Sequence, residues 1–237
     1  MRIATWNIYW LGDREDHIER TESDYQLIAQ VIRKLSPEVL ALEEIVDPLV
    51  MEHILSLVNG DGRDYIIRID EDLWLSSDPK PADTTNKLQK LFLCINRETI
   101  DFIQGSVIRG GPGGRKPYAA RLHDRGSGQE FVVAGLHLRS GFPIFLDEED
   151  AAARKKEVAA LIRWLQGEAG DDNPDFREPN SDYVAVLGDY NAQIGDPNAS
   201  LAALAGLNGW LWTNPKPDGV HRETALYESD RFIIDFI

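Results

Sequence analysis

The chain has 237 residues, 43% hydrophobic and 27% charged, enough apolar material for a full core, and no linker or composition shift divides it. No apolar run reaches the length of a membrane span, about 20 residues, and the start, Met1-Arg2-Ile3-Ala4-Thr5-Trp6-Asn7, lacks a signal-peptide layout, so the protein is expected in the cytoplasm. A net charge of −15 argues against tight, sequence-independent binding of duplex nucleic acid, which relies on a basic face.

In chain order, residues 2–9 read as a strand. From Thr21 or Ser23, the apolar residues Leu27, Ile28, Val31, Ile32 and Leu35 recur at helical spacing, and Ser36-Pro37 ends that helix. Glu38–Ile45 reads as a strand and Pro48–Val58 as a second helix. Strands are expected at 64–69, 88–96, 99–103, 118–122 and 131–138. The single cysteine, Cys94, lies in one of these apolar runs; it excludes an internal disulfide and reads as a small core residue. Residues 109–125 carry Arg109, Arg115, Lys116, Arg121 and Arg125 against one acid, Asp124, around the run Gly110-Gly111-Pro112-Gly113-Gly114. That is a basic, glycine-rich loop, and both anion contact and simple solvation stay open for it.

Asp147–Gly167 is the longest expected helix, with Val158, Leu161, Ile162, Trp164 and Leu165 on its buried side. A strand at 183–187 follows, then a short helix near 198–205 and strands near 223–228 and 231–237. Strands alternating with helices in a single unit predict an α/β or α+β layered fold, and so many strands suggest two packed sheets with helices outside.

Several polar groups interrupt these apolar runs. Asn7 closes Ile3-Ala4-Thr5-Trp6; Glu44 lies beside Glu43 in Leu40-Ala41-Leu42-Glu43-Glu44-Ile45; His137 sits in Val132–Leu138; Asp235 sits in Ile233–Ile237. The run 183–187 delivers Gly188-Asp189-Tyr190-Asn191 into a turn. Buried charges are costly unless paired or bound to metal. Taken singly, each has a structural explanation: a turn-forming Asn7, a surface acid at Glu44, a satisfied core His137, a strand-edge Asp235. Taken together with Asp189 and Asn191, they point to a shared site for a hard metal, a water or a phosphate.

The segments Thr5-Trp6-Asn7, Leu42-Glu43-Glu44-Ile45, Arg115-Lys116-Pro117, Gly135–Gly141, Leu187-Gly188-Asp189-Tyr190-Asn191 and Ile234-Asp235-Phe236-Ile237 resemble, in the same order, those of the endonuclease/exonuclease/phosphatase superfamily, the deoxyribonuclease I-like proteins. The resemblance covers nearly the whole chain. It implies a four-layer α/β/β/α sandwich of two mixed sheets and a Mg²⁺ site, with Mn²⁺ as a substitute, for hydrolysis of phosphate esters. By that resemblance Glu44 is the principal metal ligand with Asn7 beside it. Asp189 orients or deprotonates the attacking water, and Asn191 holds phosphate oxygens or that aspartate. His137, Arg115 and Arg139 contact the phosphate, and Asp235 matches an aspartate that orients a later histidine.

No such histidine follows Asp235, so residues 1–237 are expected to be one domain lacking its last strand or strands at the C-terminus. The favoured reading is a phosphodiesterase or endonuclease acting on a phosphate ester, nucleic acid among the candidates, with no protein partner indicated. Two alternatives stay open: a phospholipid or inositol-phosphate hydrolase, and a catalytically impaired member acting as a binding module.

Overall fold

The structure, a computed structural model, describes residues 1–12, 20–60, 62–68, 90–109, 116–138, 148–168, 183–191, 225–227, 230–232 and 235–236. β1 (Ile3–Leu11) leads through helix α1 (Glu22–Leu35) to β2 (Val39–Ile45), which pairs with β1 in parallel. The helix starts where the Thr21 backbone N–H donates to the Asp24 carboxylate at 2.7 Å. It ends where Ser36 turns left-handed (φ 47°) and donates to the Ile32 carbonyl ahead of Pro37. Of its apolar residues Ile28 and Ile32 are buried, whereas Leu27, Val31 and Leu35, one position round, are exposed. Helix α2 (Pro48–Asn59) opens on Asp47, whose side chain accepts from the Leu49 N–H, with Pro48 in the first turn. β3 (Tyr65–Arg68) and β4 (Lys90–Asn96) complete a sheet of order β1-β2-β4-β3.

The second half repeats this logic. β5 (Ile100–Val107), β6 (Tyr118–Asp124) and β7 (Gln129–His137) form an antiparallel meander. Helix α3 (Glu148–Leu165) then returns the chain to β8 (Val184–Asp189), which runs parallel to β7. A parallel neighbour cannot be reached by a hairpin, so each parallel pair carries its helical crossover. Of the two strands expected near the C-terminus, the first region holds β9 (Ala225–Tyr227), which pairs with β10 (Asp230–Phe232) as a separate ribbon. β11 (Asp235–Phe236) joins the edge of the second sheet, giving the order β11-β8-β7-β6-β5. The helix expected near 198–205 lies outside the described residues.

Three apolar layers separate four layers of structure. Ile28, Ile32, Met51, Ile54 and Val58 of the first two helices pack on Leu40, Leu42 and Phe92 of the first sheet. Val39, Ala41, Leu93 and Ile95 face Ala120, Val133 and Leu187 between the sheets. Val158, Leu161 and Trp164 of α3 cover Val132, Ala134 and Leu136 on the far face. The result is the expected α/β/β/α sandwich. Cys94 is fully buried, and burial pushes its thiol up to about 12. Among the described residues, no helix is long and apolar enough to cross a membrane.

Candidate active site

Strand alternation sends every second residue to the inter-sheet layer. On β2 that face carries Val39 and Ala41, on β7 Phe131 and Val133, and on β8 Leu187. Continuing the same parity to the strand ends brings Glu43, His137 and Asp189 to this layer, and Asn7 follows Ile3 and Thr5 on β1. In register Asn7 lies opposite Glu43 and His137 opposite Asp189. The apolar layer between the sheets therefore ends in a polar cluster at the carboxyl ends of both parallel pairs, where ligands of α/β folds bind.

Glu44 breaks the parity, and the backbone explains how. Between Leu42 and Ile45 the register of β2 against β4 shifts, and between Asn7 and Leu11 the register of β1 against β2 shifts as well. Glu44 adopts a left-handed conformation (φ 62°) at this bulge, as does Tyr9 (φ 52°) on the adjacent strand. Such conformations cost non-glycine residues about 1–3 kcal/mol each and concentrate at functional sites. Arg20 holds the distorted β1 segment by donating to the Ile8 and Tyr9 carbonyls at 2.6 and 2.8 Å. Because of the bulge, consecutive acids both find inward partners. Thr5 Oγ1 donates to Glu43 Oε1 at 2.5 Å, and Asn7 Nδ2 donates to Glu44 Oε1 at 3.0 Å. Glu44 is only 9% exposed, which removes the surface-acid explanation.

Asn7 Nδ2 also donates to Asp189 Oδ2 at 2.9 Å, while Asn7 Oδ1 accepts from the Tyr9 N–H at 3.0 Å. His137 Nε2 lies 3.7 Å from the same two oxygens, Glu44 Oε1 and Asp189 Oδ2. Ligand atoms of Glu44, His137 and Asp189 thus fall within 4.8 Å of one another, all on buried residues.

The turn after β8 fixes Asp189. Gly188 has φ 134°, and a Cβ there would stand 1.9 Å from the Leu136 carbonyl oxygen, so only glycine lets β8 approach β7 so closely. Asp189 Oδ1 accepts from the Asn191 N–H at 2.7 Å, and the Asp189 carbonyl accepts from the Leu138 N–H at 2.9 Å. Asn191 is left-handed (φ 47°), and its Nδ2 donates to the Leu138 carbonyl at 2.7 Å. Tyr190 is buried between these polar residues, donating to the Val186 carbonyl, and burial raises its hydroxyl pKa.

Asn7, Glu44, His137, Asp189 and Asn191 are therefore brought together from four strand ends. Asp235 is described by its backbone, which pairs opposite Asp189 across β11 and β8. Arg115 and Arg139 lie outside the described residues. Of the remaining basic-loop cations, Arg125 pairs with Asp101 at 2.5 Å, holding that carboxyl below its usual range. It also follows Asp124, whose partner Gln129 begins β7, so it stands at the end of the sheet away from His137. The loop is thus divided between two ends of the sheet. Lys116, exposed two residues before Tyr118, comes at the His137 end, since Tyr118 is paired with Gly135.

Two partners escape a reading of the sequence. Thr5 supports Glu43, and Arg154 of α3, buried to 7% exposure, donates from Nη1 to the Asn191 carbonyl at 2.5 Å. Arg154 lies among Ala152, Ala153, Lys155 and Lys156, where charge reads as a solvated helix face. Only its location beside the β8 turn distinguishes it.

No family model matches the sequence, and no curated protein matches it. Solved structures do. D. rerio TDP2 in complex with a single-strand DNA product is 17% identical with a TM-score of 0.54, over 86% of this chain and 64% of that one. An endonuclease/exonuclease/phosphatase family protein from Bacteroides thetaiotaomicron is 15% identical with a TM-score of 0.54, over 85% and 68%. A mannosyl-6-phosphatase from Bacteroides thetaiotaomicron is 15% identical with a TM-score of 0.54, over 85% and 70%. At such identities the likeness is one of fold.

Proposed function

We propose that this chain, whose fold is that of the endonuclease/exonuclease/phosphatase superfamily, is a metal-dependent hydrolase of phosphate esters, with a phosphodiester as favoured substrate and water as nucleophile. One observation carries the reading: the buried carboxylates of Glu44 and Asp189 converge on a single amide nitrogen of Asn7, at 3.0 and 2.9 Å. Two like charges that close and that buried call for a cation. Hard oxygen donors suit Mg²⁺, which takes few protein carboxylates, with Mn²⁺ as a substitute. Glu44 would hold the ion, with an Asp189 oxygen and the His137 ring within reach of the same point, and the ion would supply Lewis-acid polarisation of the phosphoryl group. Asn7, whose Nδ2 faces both acids while its Oδ1 accepts from the Tyr9 N–H, would hold those carboxylates in place beside it.

The chain's own residues divide the remaining work. Asp189, with Oδ1 fixed by the Asn191 N–H, keeps Oδ2 on the Asn7 and His137 side, where it would orient the water and accept its proton. The backbone and side-chain hydrogen bonds of Asn191 favour its role as the holder of Asp189 over direct phosphate contact. His137, pointing Nε2 toward both acids, would donate to a phosphate oxygen as charge builds on it. Arg115, Arg139 and Lys116 are proposed phosphate contacts, and Asp235 an acid supporting the Asp189 corner. A single-stranded nucleic acid fits better than a long duplex, given the net charge of −15.

The test measures turnover of bis(p-nitrophenyl) phosphate, p-nitrophenyl phosphate and a single-stranded oligonucleotide, with Mg²⁺, with Mn²⁺ and with EDTA. Turnover should require the cation, and Asp189→Asn should lower kcat by about 10²-fold or more, the scale of losing a general base. Turnover that survives EDTA, or full activity in D189N, would overturn the assignment.

A further inference from the structure

We infer that Arg154 is a positioning residue for the proposed reaction: through the Asn191 main chain it sets the orientation of the Asp189 carboxylate. The inference rests on the phosphoesterase reading, and its supports are geometric. Arg154 Nη1 donates to the Asn191 carbonyl at 2.5 Å, and Asn191 in turn gives its N–H to Asp189 Oδ1 at 2.7 Å. Asn191 is thereby fixed at three points: its carbonyl by Arg154, its N–H by Asp189 and its amide by the Leu138 carbonyl. Asparagine adopts the left-handed region more readily than other non-glycine residues, and here these three bonds hold it at φ 47°.

Helix docking does not account for this arginine. Val158, Leu161 and Trp164 already anchor α3 in an apolar layer of their own. An arginine is seldom buried to 7% exposure, and an apolar residue would serve the same packing without desolvating a charge. What the guanidinium adds is a charged donor of fixed direction, aimed at the carbonyl of the residue whose N–H turns back onto the acid. Glu157, one turn further along the helix, is also buried, at 4% exposure.

Removing the clamp leaves Asp189 chemically intact and lets its carboxylate wander. Arg154→Met should lower kcat by about 10- to 100-fold, the range of one charge-assisted hydrogen bond, while KM stays within about twofold because no substrate contact is lost. Arg154→Lys, a charged donor without the planar fork, should fall between Met and wild type. A second readout needs no substrate. Mn²⁺ affinity, followed by the electron paramagnetic resonance signal of the free ion, should weaken by about threefold or more in R154M, because Asp189 belongs to the Glu44–His137–Asp189 group. If no phosphate ester is turned over by the wild type, the reaction assignment fails while the Mn²⁺ titration still decides the positioning role. A folded R154M with wild-type Mn²⁺ affinity and wild-type kcat overturns the inference, as does a loss carried by KM alone. Should R154M not fold, R154K decides: loss of about threefold in both readouts supports the role, and wild-type values overturn it.

Discussion

Gly188→Ala is the sharpest single-residue test of how β8 meets β7. An alanine Cβ would lie 1.9 Å from the Leu136 carbonyl oxygen and 2.9 Å from the Leu136 nitrogen and carbon, all of them backbone atoms. Gly188 and Leu136 are register partners, so the collision falls on the parallel pairing itself. Relief requires the strands to part by about 1 Å, which exposes ladder hydrogen bonds to loss at about 1–3 kcal/mol for a buried group left unmade. Holding an alanine at φ 134° adds about 1–3 kcal/mol. Together these predict a loss of about 2–6 kcal/mol, or roughly 4–24 °C in Tm for a chain of this size. Gly128→Ala is the internal control. Its φ of 71° lies in the left-handed region, milder for an L-residue than 134°, and its added Cβ meets nothing within 4 Å, so it should lose only about 1–2 kcal/mol. Thermal unfolding of the three proteins by circular dichroism measures the excess loss at Gly188. If G188A melts at the same temperature as G128A, the close approach of the two strands is wrong, and with it the placement of Asp189.

Two further outcomes follow from burial and charge. Cys94 should resist a thiol reagent at pH 8 in the native protein, because it is fully buried and its thiol pKa is pushed up to about 12; labelling should appear only on unfolding, and rapid native labelling would contradict the packing of β4. The Asp101 carboxyl is held low chiefly by Arg125, so its contribution is present above the unfolded-state pKa of 3.8 and disappears as pH falls through the lower folded value. Asp101→Asn should therefore narrow the Tm difference between pH 7 and pH 3, by a small amount because the pair is exposed; an unchanged difference would show the pair to be inert.

Much of the site is legible in the sequence because its chemistry sits at the ends of strongly apolar strands. Asn7, His137 and Asp189 each interrupt such a run, and period-two alternation alone sends them toward the inter-sheet layer. Glu44 is legible as an odd acid, but not as an inward one. Its neighbour Glu43 already takes the inward position, and the bulge that turns Glu44 in as well is a tertiary event with no local signature. Arg154 was hidden for the opposite reason: charges on a helix between alanines and lysines have the pattern of solvent exposure, and only the fold brings that turn of α3 under Asn191. The exposure of Leu27, Val31 and Leu35 has the same lesson, since helical spacing fixes a stripe but not which of two adjacent stripes faces the sheet. The spacing of the basic stretch does not show that strand pairing carries Arg125 to one end of the sheet and Lys116 to the other.

The bond from Asn7 to Asp189 joins residues 182 apart in the chain. Contacts of that span form late, because the entropy of closing so long a loop must be met before they reward the chain. The two acids that define the site come from different sheets, so neither sheet folded alone holds the pair. A divalent ion that bound there would couple its affinity to complete folding, acting as a clasp between the first strand and the last of the strong ones. Cation concentration should then set the lifetime of the native state as well as its occupancy, and a chain caught part-way through folding should be blind to the ion.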